Sequence, residues 1–95
     1  MTGLSRSSAG LDVRRRRALY RAWHRGMREM DLVLGRFAEQ EIGRMSEAEL
    51  AGFEALLDVP DITLMSWILG QEPAAAPHDT GLVRRIRDHF REHAD

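Results

Sequence analysis

Cysteine is absent from the 95 residues, which excludes a disulfide framework, a thiolate nucleophile and any Cys-based zinc or iron–sulfur site. Lysine is absent too. All 14 basic residues are Arg, so charged contacts use planar, multidentate guanidinium groups. Aromatic residues make up only 6% of the chain. No apolar run approaches the ~18–20 residues of a membrane span, and the N-terminus has no continuous apolar signal region. The eight glycines are scattered without the spacing of a phosphate loop or dinucleotide fingerprint, so no stably bound nucleotide cofactor is expected. There is no strand-like alternation and no internal repeat.

What remains reads as one small helical domain. A chain of this length has room for one core, and its 43% hydrophobic content is close to the globular norm. Residues 1–11, with their Gly and Ser, are expected to form a flexible tail, and residues 12–93 a single domain. Apolar spacings of three and four predict an all-α bundle of about five helices. The first runs from about Asp12, with Leu19, Ala22, Trp23 and Gly26 on one stripe. The second spans residues 28–43, with Met30, Leu34, Phe37, Ala38 and Ile42 inward and Asp31, Glu39 and Glu41 outward or bordering. Gly35 within it implies a close helix–helix approach.

Ser46 and Glu49 form a capping box opening the third helix, which carries Leu50, Phe53, Leu56 and Leu57. Pro60 interrupts the pattern, and Asp61 is placed to cap a fourth helix over residues 62–69. Apolar Leu64, Met65, Trp67, Ile68 and Leu69 nearly encircle this short helix, which means deep burial or one side offered to a partner. After a Pro-Ala connection, Asp79 or Thr80 caps a fifth helix with Leu82, Val83, Ile86 and Phe90 inward. Residues 91–95 are expected to fray.

Charge is divided along the chain. Residues 1–29 hold eight Arg against two acids, and residues 30–79 hold two Arg against ten acids. Arg14, Arg15, Arg16 and Arg17 surround the first helix as solvated charges do. A regulatory or nucleic-acid-binding adaptor using that arm is the rival function, and the acidic remainder with no stacking platform argues against it. His89 and His93, at i, i+4, supply two ligands and no third, so no metal site is predicted. No nucleophile stands in sequence beside a histidine and a carboxylate, so no catalytic residue and no enzyme is predicted.

The singular stretch is Arg25-Gly26-Met27-Arg28-Glu29, where the basic segment meets the acidic one. Helical spacing stops before it and resumes after it, which makes Gly26 a helix boundary, Arg25 part of a last turn and Glu29 part of a first one. Together with Met30-Asp31, Phe37, Met45-Ser46, Leu56-Leu57-Asp58, Pro60-Asp61, Leu64 and Trp67-Ile68, in this order, it resembles the SdhE family over about residues 18–92. These are small assembly factors for the flavoprotein subunit of succinate dehydrogenase. The resemblance implies a five-helix domain that binds that subunit, in some bacteria also fumarate reductase, and promotes covalent attachment of FAD to it. The implied patch is Arg25, Gly26 and Glu29, facing outward, with Met27, Arg28 and Asp31 beside it; Trp67 is added as an aromatic anchor. A toxin-neutralising adaptor is a further reading for the same family. A monomer in the bacterial cytoplasm is expected, with the mitochondrial matrix the alternative.

Overall fold

The computed structural model describes residues 10–78 and 80–93. Five α-helices follow one another: α1 (Val13–Trp23), α2 (Arg28–Glu41), α3 (Glu47–Leu57), α4 (Asp61–Ile68) and α5 (Thr80–His93), with a single 3-10 turn, Ile42–Arg44, between α2 and α3. No strand occurs among the described residues. Most of the expected tail lies outside the described residues, but Leu11, assigned to that tail, is buried against the core.

The local signals in the sequence account for the helix starts. Asp12 caps α1 by accepting from the Arg15 amide. In the capping box of α3, the Glu49 amide donates to the Ser46 hydroxyl at 3.1 Å and the Ser46 amide to the Glu49 carboxylate at 2.8 Å. Asp61 departs from expectation. Pro60 occupies the cap position of α4 and no side chain caps it, because the Asp61 carboxylate is engaged elsewhere. The Asp79 cap lies outside the described residues. At its other end α5 runs on through His93, so residues 91–93 are ordered helix rather than frayed.

The apolar stripes converge as their spacing requires. Leu19 and Ala22 of α1, Met30, Leu34, Phe37 and Ala38 of α2, Ile42, and Leu50, Phe53 and Leu56 of α3 are all buried. So are Leu64 and Ile68 of α4 and Leu82, Val83 and Ile86 of α5. Phe90 is half-buried against them. Glu39 is buried rather than outward, since the stripe of α2 is wide enough to bring it under its neighbours.

The α1–α2 crossing depends on Gly35. A Cβ built there would lie 2.2 to 2.6 Å from three ring carbons of Trp23, so the indole lies directly on the α2 backbone. Gly35→Ala gains up to about 1 kcal/mol of helix propensity, but it forces a ring held between two helices to move. Overpacking of this kind costs about 1–3 kcal/mol, and the contact is so short that the upper end is expected. We predict a lower melting temperature for Gly35→Ala, restored by adding Trp23→Leu. An unchanged single variant would refute the close approach.

Three guanidinium groups close helix ends. Arg15 donates to the carbonyls of Ile42 (3.0 Å) and Met45 (2.5 Å) at the end of the 3-10 turn. Arg87 donates to Trp67 (2.7 Å) and Ile68 (2.9 Å) at the end of α4. Arg25 donates to Leu57, the last residue of α3, and to Val59 just beyond it. In each case a cation sits at the negative end of a helix dipole, on carbonyls of which Ile42 and Trp67 also accept from a backbone amide.

The charge division is partly consumed by folding. Arg14 pairs with Glu47 (2.9 Å) and Glu54 (2.7 Å), and Arg21 with Asp58 (2.7 Å), so the basic first helix lies on acidic α3. Part of each pole is thereby neutralised by the other within the chain. Of the four Arg in the arm, Arg14 is engaged by these pairs and Arg15 by Asp12 and the carbonyls above, whereas Arg16 and Arg17 are exposed.

Candidate functional site

The connector between α1 and α2 is held from beneath by Arg25. Its side chain is only 10% exposed. The guanidinium bonds Asp61 Oδ1 through Nε and Nη2, both at 2.7 Å, and reaches the carbonyls of Leu57 and, at 2.6 Å, Val59. From the other side, the Arg25 amide donates to Asp31 Oδ1 at 2.6 Å. The expectation that Arg25 faces outward is therefore overturned. It lies beyond the end of α1, not in its last turn, and its donors fill a pocket made by the α3–α4 junction.

Gly26 sits on top of this clasp. Its φ is +92°, and a Cβ added there would meet nothing within 4 Å. His24 is the C-cap of α1, so Gly26 is two residues past it and is not itself the cap. Gly70, at φ +78° directly after the C-cap Leu69, holds the capping position in α4 that was expected of Gly26 in α1. The connector is thus an exposed piece of bare main chain on a rigid base.

The other predicted residues divide accordingly. Arg28 and Glu29 open α2 and are exposed. Met27 is half-buried against the core. Asp31 is half-buried and orients the Arg25 amide. Trp67 is 5% exposed, its ring 5.4 Å from that of His78. That removes it as a surface anchor: the α4 stripe it belongs to faces the core. Sequence reasoning missed Tyr20 and His24, whose rings stack at 3.9 Å beside the connector, with Tyr20 61% exposed. They share a polar depression of about 370 Å³ with Arg21, Arg25, Leu57, Pro60 and Asp61. The helical period places Tyr20 off the apolar stripe but does not show that it stacks on His24, so the sequence carried no signal for the pair.

The opposite end of the motif opens onto an apolar trough of about 520 Å³. Glu29 stands at its rim, and Leu32, Val33, Met65, Leu69 and Phe90 line it. His89 and His93 close the far side. Their rings are stacked, 4.1 Å apart at 21°, and His93 Nδ1 donates to the His89 carbonyl. Parallel stacking aims the ring edges side by side instead of at a common point. No group of three or more potential metal ligands occurs among the described residues.

Burial, and secondly the neighbouring His93, holds the His89 imidazole below its ordinary value of 6.5. Glu41 and Glu92 oppose the shift, and Arg36 adds to it. Unfolded His89 binds a proton as pH falls through 6.5, and the folded form only at lower pH. Between the two the unfolded state carries more protons, so stability declines as pH drops below 6.5. Hydrogen bonding to Arg44 and Arg85 lowers Glu41, and Arg14 lowers Glu54, from the ordinary 4.5, adding a further loss below that value. We predict that His89→Gln flattens the upper part of the curve of melting temperature against pH. A wild-type curve without slope just below pH 6.5 would contradict the assignment.

Comparison with known proteins bears on what this surface does. The profile of the Sdh5 family, described as flavinator of succinate dehydrogenase, matches residues 16–90. The FAD assembly factor SdhE of Acetobacter pasteurianus is 38% identical over 76 residues, which cover 80% of this chain and 70% of its own. The corresponding protein of Haemophilus ducreyi is 38% identical over 63 residues, 66% of this chain and 77% of its own. Succinate dehydrogenase assembly factor 2, mitochondrial, of Dictyostelium discoideum is 33% identical over 75 residues, 79% of this chain and 53% of its own. The chain thus spans about half the length of that mitochondrial relative. No solved structure gives a significant match.

Proposed function

The chain belongs to the family of succinate dehydrogenase flavinators, and from that premise we propose that it binds the immature flavoprotein subunit of succinate dehydrogenase and promotes covalent attachment of FAD to it. The observation that carries this reading is the clasped connector: Gly26 exposed over a buried Arg25–Asp61 pair, with Arg28 and Glu29 free beside it.

The residues act by holding. Arg25, bound to Asp61, Asp31 and two carbonyls, fixes the connector so that no loop ordering is needed on docking. Gly26 lets the partner's surface approach the main chain without a side chain between. Arg28 and Glu29 supply charge-assisted hydrogen bonds that set orientation. The FAD would be held by the partner, where it would supply the carbon of the covalent link. A bound helper that keeps that carbon aligned with the group it joins can remove several kcal/mol of barrier.

The role we propose is non-catalytic, in keeping with the assembly-factor names of its relatives. Among the described residues no helix is long and apolar enough to cross a membrane. The relatives come from bacteria and from mitochondria, and we propose that this chain works in the compartment where the flavoprotein folds.

The test is reconstitution. FAD-free flavoprotein subunit, FAD and this chain are mixed, and covalent flavin is followed by fluorescence of the subunit in a denaturing gel. The chain should raise the rate at least about tenfold, the equivalent of about 1.4 kcal/mol of barrier. Equal rates with and without it would remove the function.

A further inference from the structure

Helix α4 is apolar on two sides. Leu64, Trp67 and Ile68 enter the core, whereas Ile62 is 80% and Leu69 45% exposed. With Met65, which is half-buried and packs against the core, they form a stripe at i, i+3, i+7 along one side of the helix. Met65 and Leu69 are one wall of the apolar trough; Leu32 and Val33 of α2 form the second and Phe90 of α5 the third.

Two opposite charges stand on the α2 rim of that trough, Glu29 and Arg36. Both are exposed, and neither has a hydrogen-bond or ion-pair partner among the described residues. Their separation of seven residues puts them on one face of α2, about 10 Å apart along the axis. The trough therefore offers an apolar floor flanked by an anion at one end and a cation two turns away.

We propose that this trough receives an amphipathic helix of the immature flavoprotein subunit. Its apolar side packs on Leu32, Met65 and Leu69, with a basic residue opposite Glu29 and an acidic one about two turns along opposite Arg36. The partner's identity rests on the function proposed above. The geometry of the occupant rests on the trough alone. Three helices leave a groove of the kind that a fourth fills, and charges two turns apart match positions i and i+7 of a helix laid along α2. A second copy fits less well. Its Glu29 and Arg36 could cross-pair about a two-fold axis, but trough would face trough, and two concave surfaces leave unfilled space between them. Glu29 joins this surface to the connector, so a partner gripping Gly26 has the trough directly beneath its next segment.

The test measures affinity for FAD-free flavoprotein subunit by titration calorimetry, using full-length wild type, Leu69→Asp and Arg36→Glu. Both positions are exposed, so melting temperatures should stay near wild type. Leu69→Asp should raise Kd by about 30-fold or more, as loss of an interface anchor does, and Arg36→Glu by about 5- to 10-fold. A photoreactive residue at position 69 should cross-link to a helix of the flavoprotein. Wild-type affinity in both variants, while Gly26→Arg abolishes binding, overturns the trough and leaves the function standing. Failure of the wild-type chain to bind overturns the function, and this occupant with it. A self-dimer dissociated by Leu69→Asp, with flavoprotein affinity unchanged, assigns the trough to a second copy and overturns the proposal.

Discussion

Gly26→Arg should remain folded and abolish covalent flavin formation. At φ +92° any L side chain is strained, which costs about 1–3 kcal/mol, tolerable for a domain whose stability is on the order of 5–15 kcal/mol. Gly26→Ala carries the same backbone strain without the bulk, and open space surrounds the position, so the two variants should melt at similar temperatures. They should differ in function: Gly26→Ala keeps most of the flavin fluorescence of the reconstituted subunit, and Gly26→Arg loses at least about 100-fold in rate. A long side chain there stands between two surfaces that must meet, and the loss is that of docking, about 2.7 kcal/mol or more at this ratio. Should Gly26→Arg melt cooperatively and still support wild-type flavinylation, the connector is not the docking surface. Equal loss in both variants would mean that backbone conformation alone matters.

Arg25→Ala should behave oppositely, failing as a protein before it fails as a partner. Truncation leaves Asp61, itself only 24% exposed, facing an empty pocket, and takes the donors away from Leu57 and Val59. Removing one member of a buried pair costs about 3–5 kcal/mol. Partial access of water to Asp61 favours the lower figure. At about 4–8 °C per kcal/mol for a domain this small, that lowers the melting temperature by roughly 12–24 °C. Arg25→Lys preserves the charge but cannot reach a carboxylate and two carbonyls together, so it should recover less than half of the loss. Removing both partners, as in Arg25→Leu with Asp61→Leu, should be milder than Arg25→Ala, because no charge is left unpaired. Thermal melts followed by circular dichroism decide the matter. A fully stable Arg25→Ala variant with impaired flavinylation would return Arg25 to the contact surface and refute the clasp.

These two outcomes separate residues that the sequence presents as one motif. Arg25, Gly26 and Glu29 occur within five positions, and all three read equally well as an exposed patch. Folding assigns them different work: Arg25 goes underneath, Gly26 stays bare on top, and Glu29 turns onto the rim of a trough whose other walls come from α4 and α5. The same holds for the tryptophans. Trp23 and Trp67 both sit at helical spacing; one lies half-buried on Gly35, and the other is buried against His78 and is no surface anchor.

What the amino-acid order determined by itself is local: where helices start, at Asp12 and Ser46; that the pattern breaks around Pro60, between α3 and α4; and which side of each helix is apolar. Period and capping involve residues within four positions of one another, so they can be read without knowing the fold. The small residue demanded at Gly35 was legible for the same reason, though not the indole that demands it. Only the tertiary structure decided where the guanidinium groups go. Arg14, Arg15, Arg25 and Arg87 find their carboxylates and carbonyls between 19 and 40 positions away for the contacts that matter. A helix end becomes a binding site for a cation only once packing brings another helix beside it.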